Sequence, residues 1–530
     1  MIPILPTFIP TLRAPRLVLL AVAALLLTGP GAAPGAAPPR PNLVLVLTDD
    51  MDLDLHALDY MPKVHALLAA KGTTFASYFV PISLCCPSRT TILTGQYSHN
   101  HHVYTNFPPD GGFETFQALE LDRATIGTAL ERAGYRTVLM GKYLNGYPKG
   151  GERNYVPPGW SEWYVPTDND AYSGYRYEMN ENGKLVAYGK APEDYMTDVL
   201  AAKANDFVGR AAAAGQPFFV YLATYAPHTP ATPAPRHQAL FPNLKAPRTP
   251  SFNQQDVRGE PAQYRAVAPL GAGDIGAIDA FYRRRIQSLQ AVDELVAGLV
   301  QKLAATGQLD HTYIVFTSDN GLHMGQHRFL PGKYTAYEED IHVPLIVRGP
   351  GVPAGRTVDD LALSVDLAPT FAELAGTTLP GDPDGRSLVP LLTGAAPADW
   401  RQAILVEQRP FPSSGKRSTP WPAAVVEESR QGRAGVLEPR DAGDLQRAGV
   451  WPPVPYYGLR TRSYKYVLYA SGEQELYDLR ADPYEMHNLQ PSARASFLVK
   501  VAAILAKLHA CAGEGCRAAE SVAMPALPRH

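Results

Sequence analysis

The segment Asn42-Leu-Val-Leu-Val-Leu47 is an unbroken apolar run, rich in branched side chains and lacking any polar alternation. A strand of that kind is buried on both faces, as in a parallel sheet covered by helices. Comparable runs recur from Tyr135 to Met140, Pro217 to Leu222, Tyr313 to Phe316 and Val343 to Val347. Helical patterns separate several of them. Ile126 and Leu130 share a face between Ala124 and Ala133, stopped by Gly134. Ile286, Leu289, Leu295, Leu299 and Leu303 mark a longer helix ending near Gly307. The alternation predicts an α/β fold with a large, mostly parallel mixed sheet sandwiched by helices.

At 530 residues the chain exceeds one ordinary core. The spacing predicts a main α/β domain over residues 41–395 and a smaller C-terminal α+β subdomain over 396–530. In the latter, the runs from Tyr464 to Tyr469 and Glu475 to Leu479 form a hairpin-like pair around Ser471-Gly472, and a helix follows from about Ala493 to His509. Two Pro-rich stretches, roughly Thr229 to Pro269 and Arg409 to Pro455, read as long irregular excursions rimming a site.

Arg13 and Arg16, the apolar run Leu17 to Leu27 and a small-residue stretch up to Arg40 have the order of a secretory signal peptide. The run is short for a membrane span, so residues 1–40 predict a secreted or periplasmic protein without stable membrane insertion. Charged residues make up 19% and the net charge is −3, which excludes a general field for nucleic acid or anionic membranes. Any anion specificity is local. Of four cysteines, Cys511 and Cys516 can close a small C-terminal loop in an oxidising compartment.

Polar residues fall immediately after the strands. Leu47 precedes Thr48-Asp49-Asp50, Met140 precedes Gly141-Lys142, Leu222 leads to His228, and Phe316 precedes Thr317-Ser318-Asp319-Asn320. In an open α/β sheet, ligands bind beyond the carboxyl ends of the strands, so these loops converge on one crevice. Asp49, Asp50, Asp319 and Asn320 offer hard oxygens suited to Ca²⁺, with Mg²⁺ as the alternative, and close carboxylates repel without a cation. Cys85 stands before a helix with Pro87 in its first turn and Gly95 at its end, beside a positive helix N-terminus. A bare Cys85-Cys86 pair equally suits a buried structural pair, or a disulfide to one of the other two cysteines.

The run Ser83-Leu-Cys-Cys-Pro-Ser-Arg-Thr-Thr-Ile-Leu-Thr-Gly95 resembles the signature of the type I sulfatases, members of the alkaline phosphatase superfamily. Asp49-Asp50, Gly134 to Lys142, Ser318 to Gly321 and Tyr477-Asp-Leu-Arg-Ala-Asp-Pro483 look like further landmarks of that family. Cys85-Cys-Pro-Ser-Arg89, His99-Asn-His-His-Val-Tyr-Thr-Asn106 and Gly141-Lys-Tyr-Leu-Asn145 are similar to N-acetylglucosamine-6-sulfatases and extracellular heparan endosulfatases.

The resemblance implies that Cys85 is converted to formylglycine by a formylglycine-generating enzyme. It also implies that Asp49, Asp50, Asp319 and Asn320 bind Ca²⁺ together with that residue. Arg89 would hold its hydroxyl and the sulfate, Lys142 and Lys333 would contact sulfate oxygens, and His228 would protonate the leaving alcohol, with Lys333 nearby. One hydroxyl of the aldehyde hydrate would attack sulfur and expel the alcohol; the other would collapse to the aldehyde and release sulfate. The substrate implied is a sulfated small molecule or glycan. Many family members carry a histidine two residues after the lysine matched by Lys142, where this chain has Leu144; Asn145, His101, His102, His323 and His327 are candidates for its contacts. Two other readings are a phosphonate monoester or phosphodiester hydrolase of the same superfamily, and a non-catalytic protein that binds sulfated glycans.

Overall fold

The apolar run at Asn42–Thr48 is the fifth strand of a ten-stranded sheet. The structure, a computed structural model, describes residues 40–148, 153–394, 396–409 and 454–527. In spatial order the strands are Arg356–Val358, Thr73–Phe75, Leu345–Arg348, Thr312–Ser318, Asn42–Thr48, Phe218–Ala223, Arg136–Gly141, Glu162–Pro166, Glu178–Glu181 and Lys184–Ala187. From Thr312–Ser318 to Glu162–Pro166 every pairing is parallel, while Leu345–Arg348 and the last two strands run antiparallel to their neighbours. The mostly parallel mixed sheet expected from the sequence is therefore the architecture observed.

Both faces of the central strand are covered, which explains its lack of alternation. Leu43, Leu45 and Leu47 enter a core shared with the helices Cys85–Thr94, Ile126–Arg132 and Leu367–Ala375. Val44 and Val46 enter a second core on the opposite face, built with the helices Met196–Ala213 and Ala272–Ala305. Either face turned to water would expose apolar area at about 25 cal/mol per Å².

The C-terminal part is an antiparallel meander, Ala403–Gln408, Tyr456–Thr461, Tyr464–Tyr469 and Gln474–Asp478, followed by the helix Ala495–His509. Its apolar side chains, Leu405, Tyr466 and Leu505 among them, belong to the first of the two cores. Cys511 and Cys516 are joined as a disulfide, as their spacing allowed, while Cys85 and Cys86 remain thiols. The Pro-rich stretch after His228 is irregular, broken by the short helices Pro235–His237 and Ala262–Arg265. The second Pro-rich stretch and the signal-like N-terminus lie almost wholly outside the described residues. Among the described residues no helix is long and apolar enough to cross a membrane.

Candidate active site

Parallel pairing places the ends of four neighbouring strands, Thr312–Ser318, Asn42–Thr48, Phe218–Ala223 and Arg136–Gly141, on one edge of the sheet. The residues that follow them meet there. The backbone N–H of Asp319 donates to Thr48 O at 3.2 Å, and the Ser318 hydroxyl accepts from Met51 N at 2.9 Å, locking the two acidic loops together. Asp50 takes a left-handed backbone conformation, φ 65°, held on its other side by Arg285, whose Nη2 donates to Asp50 O. Such strain in a non-glycine residue persists only where surrounding bonds over-determine it. At Gly141, φ 87°, a Cβ would lie 1.9 Å from Ala223 O, so only glycine brings Lys142 into place.

The helix Cys85–Thr94 begins at Cys85 itself, two residues earlier than Pro87 suggested, and ends at Gly95 with φ 74°. Helical spacing puts Cys85, Ser88 and Arg89 on one face. Ser88 donates to the Asp319 carbonyl at 2.5 Å. Arg89 donates through Nε to Asp319 Oδ2 at 2.7 Å and through Nη1 to Lys142 O at 2.8 Å. Its Nη2 lies 3.6 Å from Asp49 Oδ1. Cys85 Sγ is 2.9 Å from Lys333 Nζ and 3.7 Å from Asp49 Oδ1. Lys142 Nζ reaches Asp49 Oδ2 at 2.7 Å, and Lys333 Nζ reaches Asp50 Oδ1 at 2.7 Å.

Three buried carboxylates thus face three buried cations. Counter-charge from Arg89, Lys142 and Lys333 already offsets the repulsion that the sequence reading assigned to a missing cation. Burial opposes the charge on Asp49, yet Lys142, His228, Arg89 and Lys333 hold its carboxyl down at about 2. Asp319 differs: burial, with the negative Asp49 and Asp50 beside it, outweighs Arg89 and Lys142 and raises it to about 6. Burial pushes the Cys86 thiol up to about 12 and makes it an inert core group.

The donor set suits a hard cation. Asp49, Asp50, Cys85 and His228 present ligand atoms within 4.8 Å of one another. Asp50 N donates to Asp319 Oδ1 at 3.1 Å, and Asn320 Nδ2 to Asp50 Oδ1 at 2.7 Å, so the second acidic pair adjoins the first. Among the described residues, the buried Asn320 Oδ1 has no hydrogen-bond partner. An orphaned carbonyl oxygen among carboxylates is what oxygen-coordinated Ca²⁺ or Mg²⁺ satisfies.

His228 Nδ1 lies 2.7 Å from Thr229 O, a carbonyl that can only accept, so Nδ1 carries the proton. Its Nε2 lies 3.4 Å from Asp50 Oδ2. No motif in the chain pointed to Tyr172, on the turn Asn169–Ser173, whose ring lies 4.7 Å from His228 and 5.0 Å beneath Lys142 Nζ. Ser88 was legible in hindsight, one helical turn from Cys85.

The remaining candidates have other partners. His101 shares a hydrogen bond with Thr91 at 3.1 Å and accepts from Val103 N; burial depresses it to about 3. His102 is exposed and pairs with the Tyr104 hydroxyl at 2.8 Å. The Asn145 carbonyl accepts from Phe113 N, and Leu144 is buried in the core. His323 meets Asp340 at 2.9 Å. His327 lies 3.0 Å from Glu260 and stacks on Tyr337. Burial works against a charge on His327, but Glu260 outweighs it and raises the group to about 9. A folded value above the unfolded one, about 6.5, stabilises fully below pH 6.5 and is lost as pH rises through about 9. Thermal melts between pH 6.5 and 9.5 are expected to fall more steeply for the native chain than for His327→Gln; parallel slopes would refute the pairing.

The sulfatase family model matches residues 41–377, spanning every one of these crevice residues. The chain belongs to the sulfatase family. Human N-acetylglucosamine-6-sulfatase is 36% identical over 498 residues, covering 90% of this sulfatase and 86% of the human protein. Among solved structures, a protein in complex with its substrate D-glucosamine-2-N,6-O-disulfate superposes with a TM-score of 0.69 at 25% identity, over 88% of this chain and 97% of that one. The phosphonate monoester hydrolase of Agrobacterium radiobacter shares the fold, with a TM-score of 0.65 at 24% identity over 88% and 95% of the two chains.

Proposed function

We propose that this sulfatase hydrolyses sulfate esters of amino sugars, N-acetylglucosamine-6-sulfate foremost, using a formylglycine made from Cys85 and a bound Ca²⁺. The observation that carries the reading is the grouping of Cys85, at a helix start, with Asp49 and Lys333 in a crevice whose Asn320 Oδ1 lacks a hydrogen-bond partner among the described residues. The near full-length likeness to a sulfatase of that sugar supports the substrate class. Asp49, Asp50, Asp319 and Asn320 would hold the cation. When present, the formylglycine supplies a hydroxyl nucleophile and the cation supplies charge that balances the ester anion.

The chain's own residues do the rest. Asp49 Oδ1 and Lys333 Nζ flank the reacting side chain at position 85, one placed to take a proton and the other to stabilise negative charge. Arg89 and Lys142 offer fixed positive charge to sulfate oxygens in a dry site, where it acts most strongly. His228, anchored through Nδ1, presents Nε2 as the donor to the leaving alcohol once it is protonated. His228→Asn is therefore expected to slow a sugar sulfate by about 10² to 10⁴-fold. Nitrophenyl sulfate, whose leaving group needs no proton, should slow far less; equal losses on both would remove the acid role.

Cys85 is fully buried, so a maturing enzyme must reach it before the fold closes. Export to the periplasm or medium accords with the signal-like N-terminus and the Cys511–Cys516 disulfide. The direct test is sulfate release from a panel of sulfated monosaccharides and aryl sulfates. N-acetylglucosamine-6-sulfate should give the highest kcat/KM; activity confined to phosphate diesters would overturn the assignment.

A further inference from the structure

The His99–Asn106 segment, singled out in the sequence, directs its first histidine away from the crevice and toward the C-terminal sheet. His99 Nε2 lies 3.0 Å from the Cys511 carbonyl oxygen, which can only accept, so Nε2 carries a proton. Nδ1 of the same ring lies 3.1 and 3.2 Å from the two oxygens of Glu407, fully buried in the strand Ala403–Gln408. A neutral ring would set a lone pair against a carboxylate. Either a second proton or a cation must separate them.

His509, the last residue of the helix Ala495–His509, completes the group. Its Nδ1 is 3.8 Å from Glu407 Oε2 and is buried with no hydrogen-bond partner among the described residues. The three donor atoms lie within 4.8 Å of one another. Tetrahedral coordination with bonds of about 2.0–2.1 Å places ligand atoms about 3.3 Å apart, so a small turn of His509, 32% exposed, closes the set. A histidine that binds through one nitrogen and donates its other N–H to a backbone carbonyl is the usual supporting arrangement of a metal ligand.

We propose that His99, Glu407 and His509 form a second metal site, separate from the crevice, for a zinc-class divalent ion. Two imidazole nitrogens and one carboxylate suit zinc, whereas the all-oxygen set of the crevice suits calcium. The fourth position opens to water past His509. The ion would tie the short helix Ser98–His101, a strand of the C-terminal sheet and the end of the helix Ala495–His509 into one clip beside the Cys511–Cys516 disulfide. Its role is stabilising, since a metal that binds only the folded arrangement contributes its binding energy to folding.

The test uses the full chain, stripped with chelator and resupplied with Ca²⁺ so that the crevice is satisfied, then titrated with Zn²⁺. The native protein should bind one Zn²⁺ more than His509→Ala, and Zn²⁺ should raise the Tm of the native chain alone. Co²⁺ in place of Zn²⁺ should give the visible spectrum of a four-coordinate site. Equal stoichiometry and equal Tm response in the two proteins would overturn the site and leave His99 and Glu407 as a proton-bridged pair. Should His509→Ala fold poorly, His509→Gln removes the nitrogen ligand at similar volume. Sulfate release, measured on the same samples, should be alike in both, which separates this result from the fate of the proposed reaction.

Discussion

Cys85→Ser is expected to lower turnover by at least about 10⁴-fold while leaving the protein folded. A serine oxygen would occupy the place of Sγ, still beside Lys333 Nζ and Asp49 Oδ1, so an initial attack on sulfur remains geometrically open. The resulting serine sulfate has no second hydroxyl on its carbon to expel the sulfate. Rapid mixing should then show at most one equivalent of alcohol released per enzyme, with the sulfated peptide visible by intact-mass spectrometry. Cys85→Ala should show neither. In the active native protein, the peptide bearing residue 85 should be lighter by the thiol-to-aldehyde change. Sustained turnover by the serine variant, or full native activity with an unmodified thiol, would sink the mechanism. The substitution removes little volume from a buried site, so a stability loss of about 1–2 kcal/mol is expected, too small to mimic the kinetic effect.

Asp319→Asn is the second large effect, about 10³-fold or more in kcat/KM, because a bound cation contributes several kcal/mol and each 1.36 kcal/mol is a factor of ten. Asp319 Oδ1 accepts from the backbone amides of Asp50 at 3.1 Å and Asn320 at 2.8 Å, and an asparagine keeps both bonds. What it loses is the negative charge and the acceptor facing Arg89 Nε. Removing one partner of a buried pair costs about 3 kcal/mol, so circular dichroism and a melt must accompany the kinetics. Asn320→Ala is the complementary variant: its Oδ1 has no hydrogen bond to lose among the described residues, and the structural cost is confined to the Nδ2 bonds to Asp50 Oδ1 and Gly321 O. Chelator-treated native protein should lose activity and regain it with Ca²⁺, while both variants should need more Ca²⁺ for half-maximal rate. Undiminished activity in Asp319→Asn or in metal-stripped protein would remove the cation from the account.

The fold was legible wherever a pattern had one physical solution. Runs without alternation became strands with cores on both faces, and the predicted edges moved by only a residue or two, as from Val343–Val347 to Leu345–Arg348. The helix at Cys85 began earlier than Pro87 implied because proline is accepted throughout a first helical turn, so it marks a start without dating it. The long helix extends further than the run from Ile286 marked: it begins at Ala272, where Ile275, Ile278 and Tyr282 continue the apolar face behind an exposed, glycine-bearing first turn.

Acidic pairs after strands were enough to single out Asp49, Asp50, Asp319 and Asn320, and the strand-end loops led to Lys142 and His228; Arg89, Lys333 and the special role of Cys85 came with the family resemblance. Most of those residues follow a strand or lie on one helix face, whereas Lys333 sits on an irregular loop between the strand ending at Ser318 and the helix Glu338–Ile341. Contacts between distant segments carry no such local trace. Tyr172 beneath Lys142, Arg285 behind Asp50 and His99 turned to Glu407 arise because parallel pairing and the C-terminal meander bring together residues more than a hundred positions apart or on unrelated turns. Which histidine faces which carboxylate depends on that packing, and periodicity along one chain cannot encode it.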